Sequence, residues 1–354
     1  MKSKSTLAAR TREMLAEVDL SPYSSLCRKY HTYGHVERMI SYLKNTEAGE
    51  SLTWPLWQAA AVFHDLVYKV RDPGNNEIKS AEAFKKAARS HLTTEEIAFV
   101  VKLIMATARP SDYYGAGAYG TGAVSKDGDC RLFVEADWNG MASWETLDMD
   151  RIRFLDEWED GIFHEAKCFD LNWYIEKREE FLRGSMEKGM LSRAVYEYVS
   201  RRLHRQYKVC VYAGSFCPFH KGHLAVLNQA REIFDKVIIA KGQNPKKPAM
   251  ESNVFDLFPH EEVCQFTGQQ ADFLISKASK YVKVFVIRGL RNDYDLLYES
   301  AVCQTIREQM EEREAPEPRF LHVLSRPELS HVSSSLVREL PERDKARYIP
   351  DPEN

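Results

Sequence analysis

The sequence predicts two domains, an all-α domain followed by an α/β domain built on a parallel sheet, and three observations lead there. First, the chain has 354 residues, and at roughly 100 to 200 residues per domain that length holds two or three domains. Second, from about Leu7 to Tyr207 apolar residues recur at spacings of three and four, as in Ile97, Val100, Val101, Ile104 and Met105, with hardly any strand signal. Third, beyond Tyr207 short β-branched runs alternate with helical stretches, the pattern of a parallel sheet with helices on both faces.

The elements follow in chain order. Trp54-Pro55 opens a helix, because a proline in the first turn gives up an N–H that has no partner there, and the helix is expected to run on through Phe63, His64, Asp65 and Tyr68. Tyr113–Gly128 is rich in glycine and small residues and reads as a loop. Its Gly115, Gly117 and Gly120 form a GxGxxG, but no strand precedes them, so a dinucleotide-binding turn is not expected. The helical run Ser192–Arg205 passes without a Pro/Gly/Ser linker into the first strand, which sets a boundary near residue 206 and domains at 1–205 and 206–354. Strands are expected at Lys208–Ala213, Lys236–Ala240, Val282–Arg288 and Phe320–Leu324, and Glu251–Gln265 carries no helical pattern.

Hydrophobic residues at 44% and charged residues at 29% suffice for a folded core, which excludes disorder as the default. The 49 basic residues against 52 acidic ones leave a net charge of −3, too little basic field for a nucleic-acid coat, so small molecules are the expected partners. The seven cysteines are scattered, odd in number and never spaced CxxC, as in a reduced compartment rather than a disulfide framework or zinc knuckle. Met1–Arg12 is polar and no apolar run approaches the ~18 residues of a membrane span, so a soluble, cytoplasmic protein is expected, with a homo-oligomer compatible with everything above.

In the second domain the first strand ends in Gly214-Ser215-Phe216-Cys217-Pro218-Phe219-His220-Lys221-Gly222-His223, followed by a helical face of Leu224, Leu227, Ala230 and Phe234. Two histidines thereby stand at a strand-to-helix turn. Gly222 lets backbone approach a ligand, and the free N–H groups of a helix start attract anions, so this is a phosphate site by position. The Lys246-Lys247 pair alone reads as a solvated loop, and the triplet Ser333, Ser334, Ser335 alone as a linker or cap; their order behind the histidines gives them weight.

These segments resemble the HxGH nucleotidyltransferase superfamily and, within it, phosphopantetheine adenylyltransferase. The likeness rests on His220–His223, on Asn244–Pro248, on Ile287–Arg291 with Asp295, Tyr298 and Glu299, and on Val332–Glu339. It implies a Rossmann-like sheet and transfer of AMP from ATP to a phosphate, giving dephospho-coenzyme A and pyrophosphate when the acceptor is 4′-phosphopantetheine. By the resemblance, His220 and His223 contact the triphosphate and the charge developing at its α-phosphate, on a turn shaped by Gly214, Phe216 and Gly222. Lys246 and Arg288 screen the incoming phosphate beside Ser215, while Arg291 and Ser333, Ser334 and Ser335 hold the leaving pyrophosphate. Glu299 touches the nucleotide, Asp272 and Leu274 lie along the pantetheine arm, and Mg²⁺ enters with ATP. Such a transfer needs alignment and charge neutralisation, not a nucleophilic side chain. Cys217 stands where the family carries Asp, Ser215 where it carries Thr, and the stretch between Pro248 and Asp272 is shorter. The alternative is therefore adenylyl or cytidylyl transfer to another acceptor, such as nicotinamide mononucleotide or a glycerol or sugar phosphate.

In the first domain Tyr30–His35 is followed by Phe63-His64-Asp65 and by Glu135-Ala136-Asp137. His35, His64, Asp65 and Asp137 would come from three helices and form a mixed N/O set suited to a divalent ion such as Mn²⁺, Co²⁺, Ni²⁺, Fe²⁺ or Mg²⁺. A metal would also explain an Asp inside an apolar helix, where an unpaired carboxylate is costly. The pattern resembles the HD superfamily of metal-dependent phosphohydrolases, in particular a branch with YHxxxH, FHDxVY and NExxSA, matched by Tyr30–His35, Phe63–Tyr68 and Asn76–Ala81. The resemblance implies hydrolysis of a small phosphate ester or nucleotide, the metal activating water. Glu77 is the candidate base or supporting carboxylate, and His31 is expected one turn before His35 on the same helix face. The alternative is a nucleotide-binding regulatory module that keeps a buried His-Asp pair without catalysis.

Overall fold

The computed structural model of the chain describes residues 6–71, 75–110, 127–243 and 252–352; Lys246 and the Gly115–Gly120 motif lie outside the described residues. Two compact units result, Met1–Glu165 with Lys177–Leu203 and Ala166–Glu176 with His204–Asn354.

The first unit is helical throughout its described residues: α1 (Leu7–Ala16), α2 (Tyr33–Lys44), α3 (Glu47–Glu50), α4 (Trp54–Phe63), α5 (Asn76–Ala88), α6 (Thr94–Thr107), α7 (Gly128–Asp137), α8 (Met149–Glu165), α9 (Leu171–Glu187, shared with the second unit) and α10 (Arg193–Leu203). Leu56, Trp57, Ala59, Ala60, Ala61 and Phe63 leave α4 almost no polar face, and it is buried among α1, α2 and α6, as a helix apolar all round must be. The predicted α6 starts at a reciprocal cap, Thr93 Oγ1 accepting from the Glu96 N–H and Glu96 from the Thr93 N–H.

Two expectations need correction here. The helix thought to run through His64-Asp65 ends at Phe63, with His64 as its cap. The chain can turn there because Arg28 donates to the carbonyls of Asp65 (2.7 Å) and Leu66 (3.0 Å), which would otherwise need a next helical turn. Asn76 and Ser80, from the third motif, then hold the following loop through the backbone of Lys69 and Val67. His31 likewise precedes α2 instead of riding on it.

The second unit is a Rossmann-like parallel sheet with strands β1 (Tyr207–Gly214), β2 (Lys236–Gly242), β3 (Glu262–Phe266), β4 (Val282–Leu290) and β5 (Arg319–Leu324) in the order β3-β2-β1-β4-β5. Its helices are α11 (Lys221–Ile233), α12 (Val254–Leu257), α13 (Gln270–Lys277), α14 (Asp293–Glu312), α15 (Ser334–Glu339) and α16 (Glu342–Lys345). β1 is central, Val211 standing opposite Ile238 of β2 and Val286 of β4. The four expected strands form; β3 was not expected, because a five-residue edge strand that is mostly half-exposed carries no continuous apolar run. Strand order reverses between β1 and β4, and ligands of open α/β sheets bind in the crevice that such a reversal opens at the carboxyl ends.

Ala166–Glu176 is tied into this unit by ions. Lys236, only 1% exposed at the start of β2, donates to the carbonyls of Lys167 and Phe169 and pairs with Glu262 at 2.9 Å. Lys277 bridges Glu262 (2.7 Å) and Asp170 (2.6 Å). Removing partners from a buried charge costs on the order of 3 kcal/mol, so a fragment starting at residue 206 should unfold at clearly lower urea than one starting at residue 166. Equal midpoints would refute this role.

Candidate functional site

At the end of β1 the backbone turns sharply. Phe216 adopts a left-handed conformation (φ 46°), and its buried ring folds back over Gly214, where a Cβ would stand 2.8 Å from the ring. Gly214 is thus required by the Phe216 ring. The chain then enters α11 through the two histidines. His220 Nδ1 accepts from the Gly222 N–H and His223 Nδ1 accepts from the His220 N–H, both at 3.2 Å. A backbone N–H can only donate, so each Nδ1 is unprotonated and each Nε2 carries the hydrogen. The rings stack at 3.7 Å, and a Cβ on Gly222 would come within 3.0 Å of the His220 ring.

Burial, then the charge of Arg291, lowers His220 to about 4; burial, His220 and Arg291 hold His223 well below its ordinary value. Both imidazoles are therefore neutral N–H donors near pH 7. The linkage has a definite sign. Below the ordinary histidine value of about 6.5 the unfolded chain binds protons that the folded one refuses. Stability contributed by these histidines is complete above that pH and is lost as pH falls toward 4. Urea midpoints of the wild type should drop across this window more steeply than those of His220→Gln; parallel curves would contradict the assignment.

A cleft of about 390 Å³ opens in front of the histidines. It is lined by Ser215, His220, Gly222 and His223 together with Arg291, Glu299, Ser333, Ser334 and Ser335. Ser333 caps α15, accepting from the Leu336 N–H, and Arg291 is held by Asp295 in a two-point ion pair. A second cleft of about 510 Å³ shares Ser215, His223 and Glu299 and adds Gly214, Phe216 and Arg288. Every described residue expected at the nucleotide or at the reacting phosphates lines one of these two clefts. Asp272 and Leu274 do not: Leu274 is 1% exposed in the core, and Asp272 forms an ion pair with Arg313 at 2.6 Å. Position along α13 explains this, since its inward face packs on the sheet.

Sequence reasoning missed Arg338 and Gln270. Arg338 lines the first cleft, donating to the Cys217 carbonyl (2.6 Å) and Ser335 Oγ (2.8 Å). It closes the serine motif, so its spacing after Ser335 was the available signal. Gln270 lines the second cleft, and a lone glutamine carries no signal of its own.

In the first unit the proposed ligands converge from helix ends: His35 in the first turn of α2, His64 capping α4, Asp137 closing α7. One ligand atom each from His35, His64 and Asp137 lies within 4.8 Å of the others. His35 Nε2 is 3.0 Å from Asp137 Oδ1, and Asp65 Oδ2 is 2.9 Å from His64 Nε2 and 3.8 Å from His35 Nε2. His64 Nδ1 is 2.8 Å from the Ala61 carbonyl, which only accepts, so Nδ1 carries a hydrogen; burial works to lower His64, but the charge and hydrogen bonds of Asp65 and Asp137 hold it well above its ordinary value. Two of the three ligand-bearing helices also point their negative C-terminal ends here, which favours a cation. Burial works to raise Asp137, but hydrogen bonds and charge from His35 and His64 hold it down, at about 2. Glu77 borders the cluster, its carboxyl pushed up by burial and by Asp65 and Asp137. His31 is bound to Glu165 at 2.6 Å, its ring 6.0 Å from that of His35.

Residues 211–340 match the cytidylyltransferase-like family model. The chain is 33% identical over 147 residues to a phosphopantetheine adenylyltransferase of Cytophaga hutchinsonii, covering 39% of this chain and 91% of that protein. It is 32% identical over 152 residues to one of Streptococcus suis, covering 41% and 91%, and 30% identical over 155 residues to one of Alkaliphilus metalliredigens, covering 41% and 93%.

Proposed function

The chain belongs, through its second unit, to the phosphopantetheine adenylyltransferase family of nucleotidyltransferases, and from that premise we propose that it transfers AMP from ATP to 4′-phosphopantetheine. The observation that carries this reading is the pair of joined clefts with His223 and Ser215 at their junction. ATP, arriving with its Mg²⁺, occupies the first cleft and the acceptor the second. An acceptor phosphate oxygen attacks the α-phosphorus, the bond to the bridging oxygen breaks, and pyrophosphate leaves. The acceptor phosphate is already ionised near neutral pH, so no side chain has to remove a proton.

The protein's work is electrostatic. The Nε2–H groups of His220 and His223 donate to the α- and β-phosphate oxygens as negative charge moves onto them, and being neutral and fixed by the backbone they need no reorganisation. Arg291, Arg338 and the three serines receive the pyrophosphate; Arg288 and Lys246 screen the acceptor. An acceptor screen scored by pyrophosphate release, run with ATP and with CTP, tests the reading. Turnover with phosphopantetheine and ATP is expected; turnover only with a sugar phosphate, glycerol phosphate or nicotinamide mononucleotide, or only with CTP, would replace it.

For the first unit we propose a metal-dependent phosphohydrolase, on the observation that His35, His64 and Asp137 each bring a ligand atom within 4.8 Å of the others. Those three residues with Asp65 would hold a divalent ion, which would supply an activated water and polarise a phosphoryl oxygen. Arg28 keeps Asp65 in place through the backbone, and Glu77 stands ready to hold a proton at the edge of the cluster.

A further inference from the structure

Among the described residues, side chains lining the second cleft carry buried polar atoms without a hydrogen-bond partner. Arg288 Nη1 donates to the Ala213 carbonyl at the end of β1 (3.0 Å), and Nη2 donates to Gln270 Oε1 (2.7 Å). The second bond fixes the amide: its oxygen faces the guanidinium, so its NH₂ group faces elsewhere. Among the described residues that Gln270 Nε2 is buried without a hydrogen-bond partner, and so are Arg288 Nε and Glu299 Oε2. The last two lie 3.3 Å apart, close enough for charge attraction but not aligned as a hydrogen bond. All three side chains line the one cleft. Buried polar atoms of native proteins are nearly all satisfied, and a Gln270 donor without a hydrogen-bond partner, beside an Arg288–Glu299 pair held by charge without an aligned hydrogen bond, points to a ligand group that would complete them.

We propose that Gln270 is a specificity-determining residue for the acceptor. Its Nε2 donates to an acceptor oxygen next to the one held by Arg288, while its Oε1 keeps the guanidinium in place. Glu299 Oε2 accepts from a hydroxyl or amide N–H of the same molecule. The substrate class is a phosphate monoester that carries such a donor a short way from its phosphate. This rests on the reading of the second cleft as the acceptor site.

Two variants separate the parts. Gln270→Leu removes both the tie to Arg288 and the donor; Gln270→Glu keeps the tie but puts an anionic oxygen where the NH₂ stood. A hydrogen bond to a charged partner is worth roughly a tenfold to hundredfold change in affinity. KM for the acceptor should therefore rise about tenfold or more in Gln270→Leu and further in Gln270→Glu, with KM for ATP unchanged. Unchanged acceptor KM in both variants, or an equal rise for both substrates, would overturn the inference. Calorimetry with inorganic phosphate separates it from the choice of acceptor. If the wild type does not turn over phosphopantetheine, the functional reading fails, yet weaker phosphate binding by Gln270→Glu would still support the role of Gln270, and undiminished binding would overturn it.

Discussion

Replacing His223 with alanine should lower kcat for adenylyl transfer by about 10²- to 10³-fold, the usual loss when one fixed donor to a developing oxyanion is removed, and leave KM for the acceptor within a few-fold. The expectation follows from the turn itself. His223 lines both clefts, its Nδ1 is taken by the His220 N–H, and its Nε2–H is left for the ligand. Substitution by Gln keeps an N–H donor and should recover part of the rate, whereas Ala leaves only the backbone of α11. Steady-state pyrophosphate release measures both. A drop confined to KM for ATP would mean that His223 binds the ground state only, and an unaltered rate would remove it from the chemistry.

Asp137→Asn should weaken binding of Mn²⁺ by about 100-fold or more, at least the loss seen when groups supporting a metal ligand are altered, and abolish phosphatase activity. Asparagine retains the volume and an oxygen for the contact with His35 but loses the charge. Metal content of the purified protein and calorimetric titration check this, with urea midpoints to show that the helical unit remains folded. A wild-type protein that binds no divalent ion and hydrolyses no phosphate ester would leave His35, His64 and Asp65 as a buried polar cluster, as in the alternative reading of a regulatory module.

Much of the transferase site was legible because its parts are local. Gly214 to His223 is one strand end, one turn and one helix start, and the order of residue types within it already states where an anion can sit. The Arg288–Glu299 segment and the Ser333–Ser335 triplet were legible for the same reason. Position along an element was harder. The family resemblance put Asp272 and Leu274 along the acceptor's arm, but α13 turns Leu274 into the core, and Gln270 at its first turn lines the cleft instead. The His64-Asp65 pair was seen as polar residues inside an apolar helix, yet it sits at the helix end, because the bonds that terminate α4 come from Arg28, far away in sequence. Likewise the clasp of Lys236 on the carbonyls of Lys167 and Phe169 places Ala166–Glu176 with the sheet, which no composition shift announces.

The most direct measurement is the stoichiometry of products from the full chain incubated with ATP, Mg²⁺ and 4′-phosphopantetheine. Equal amounts of pyrophosphate and dephospho-coenzyme A, with formation reduced in the His223→Ala protein, are the predicted result. No dephospho-coenzyme A from wild-type protein, or the same amount from wild type and His223→Ala, would contradict the assignment of the joined clefts to adenylyl transfer.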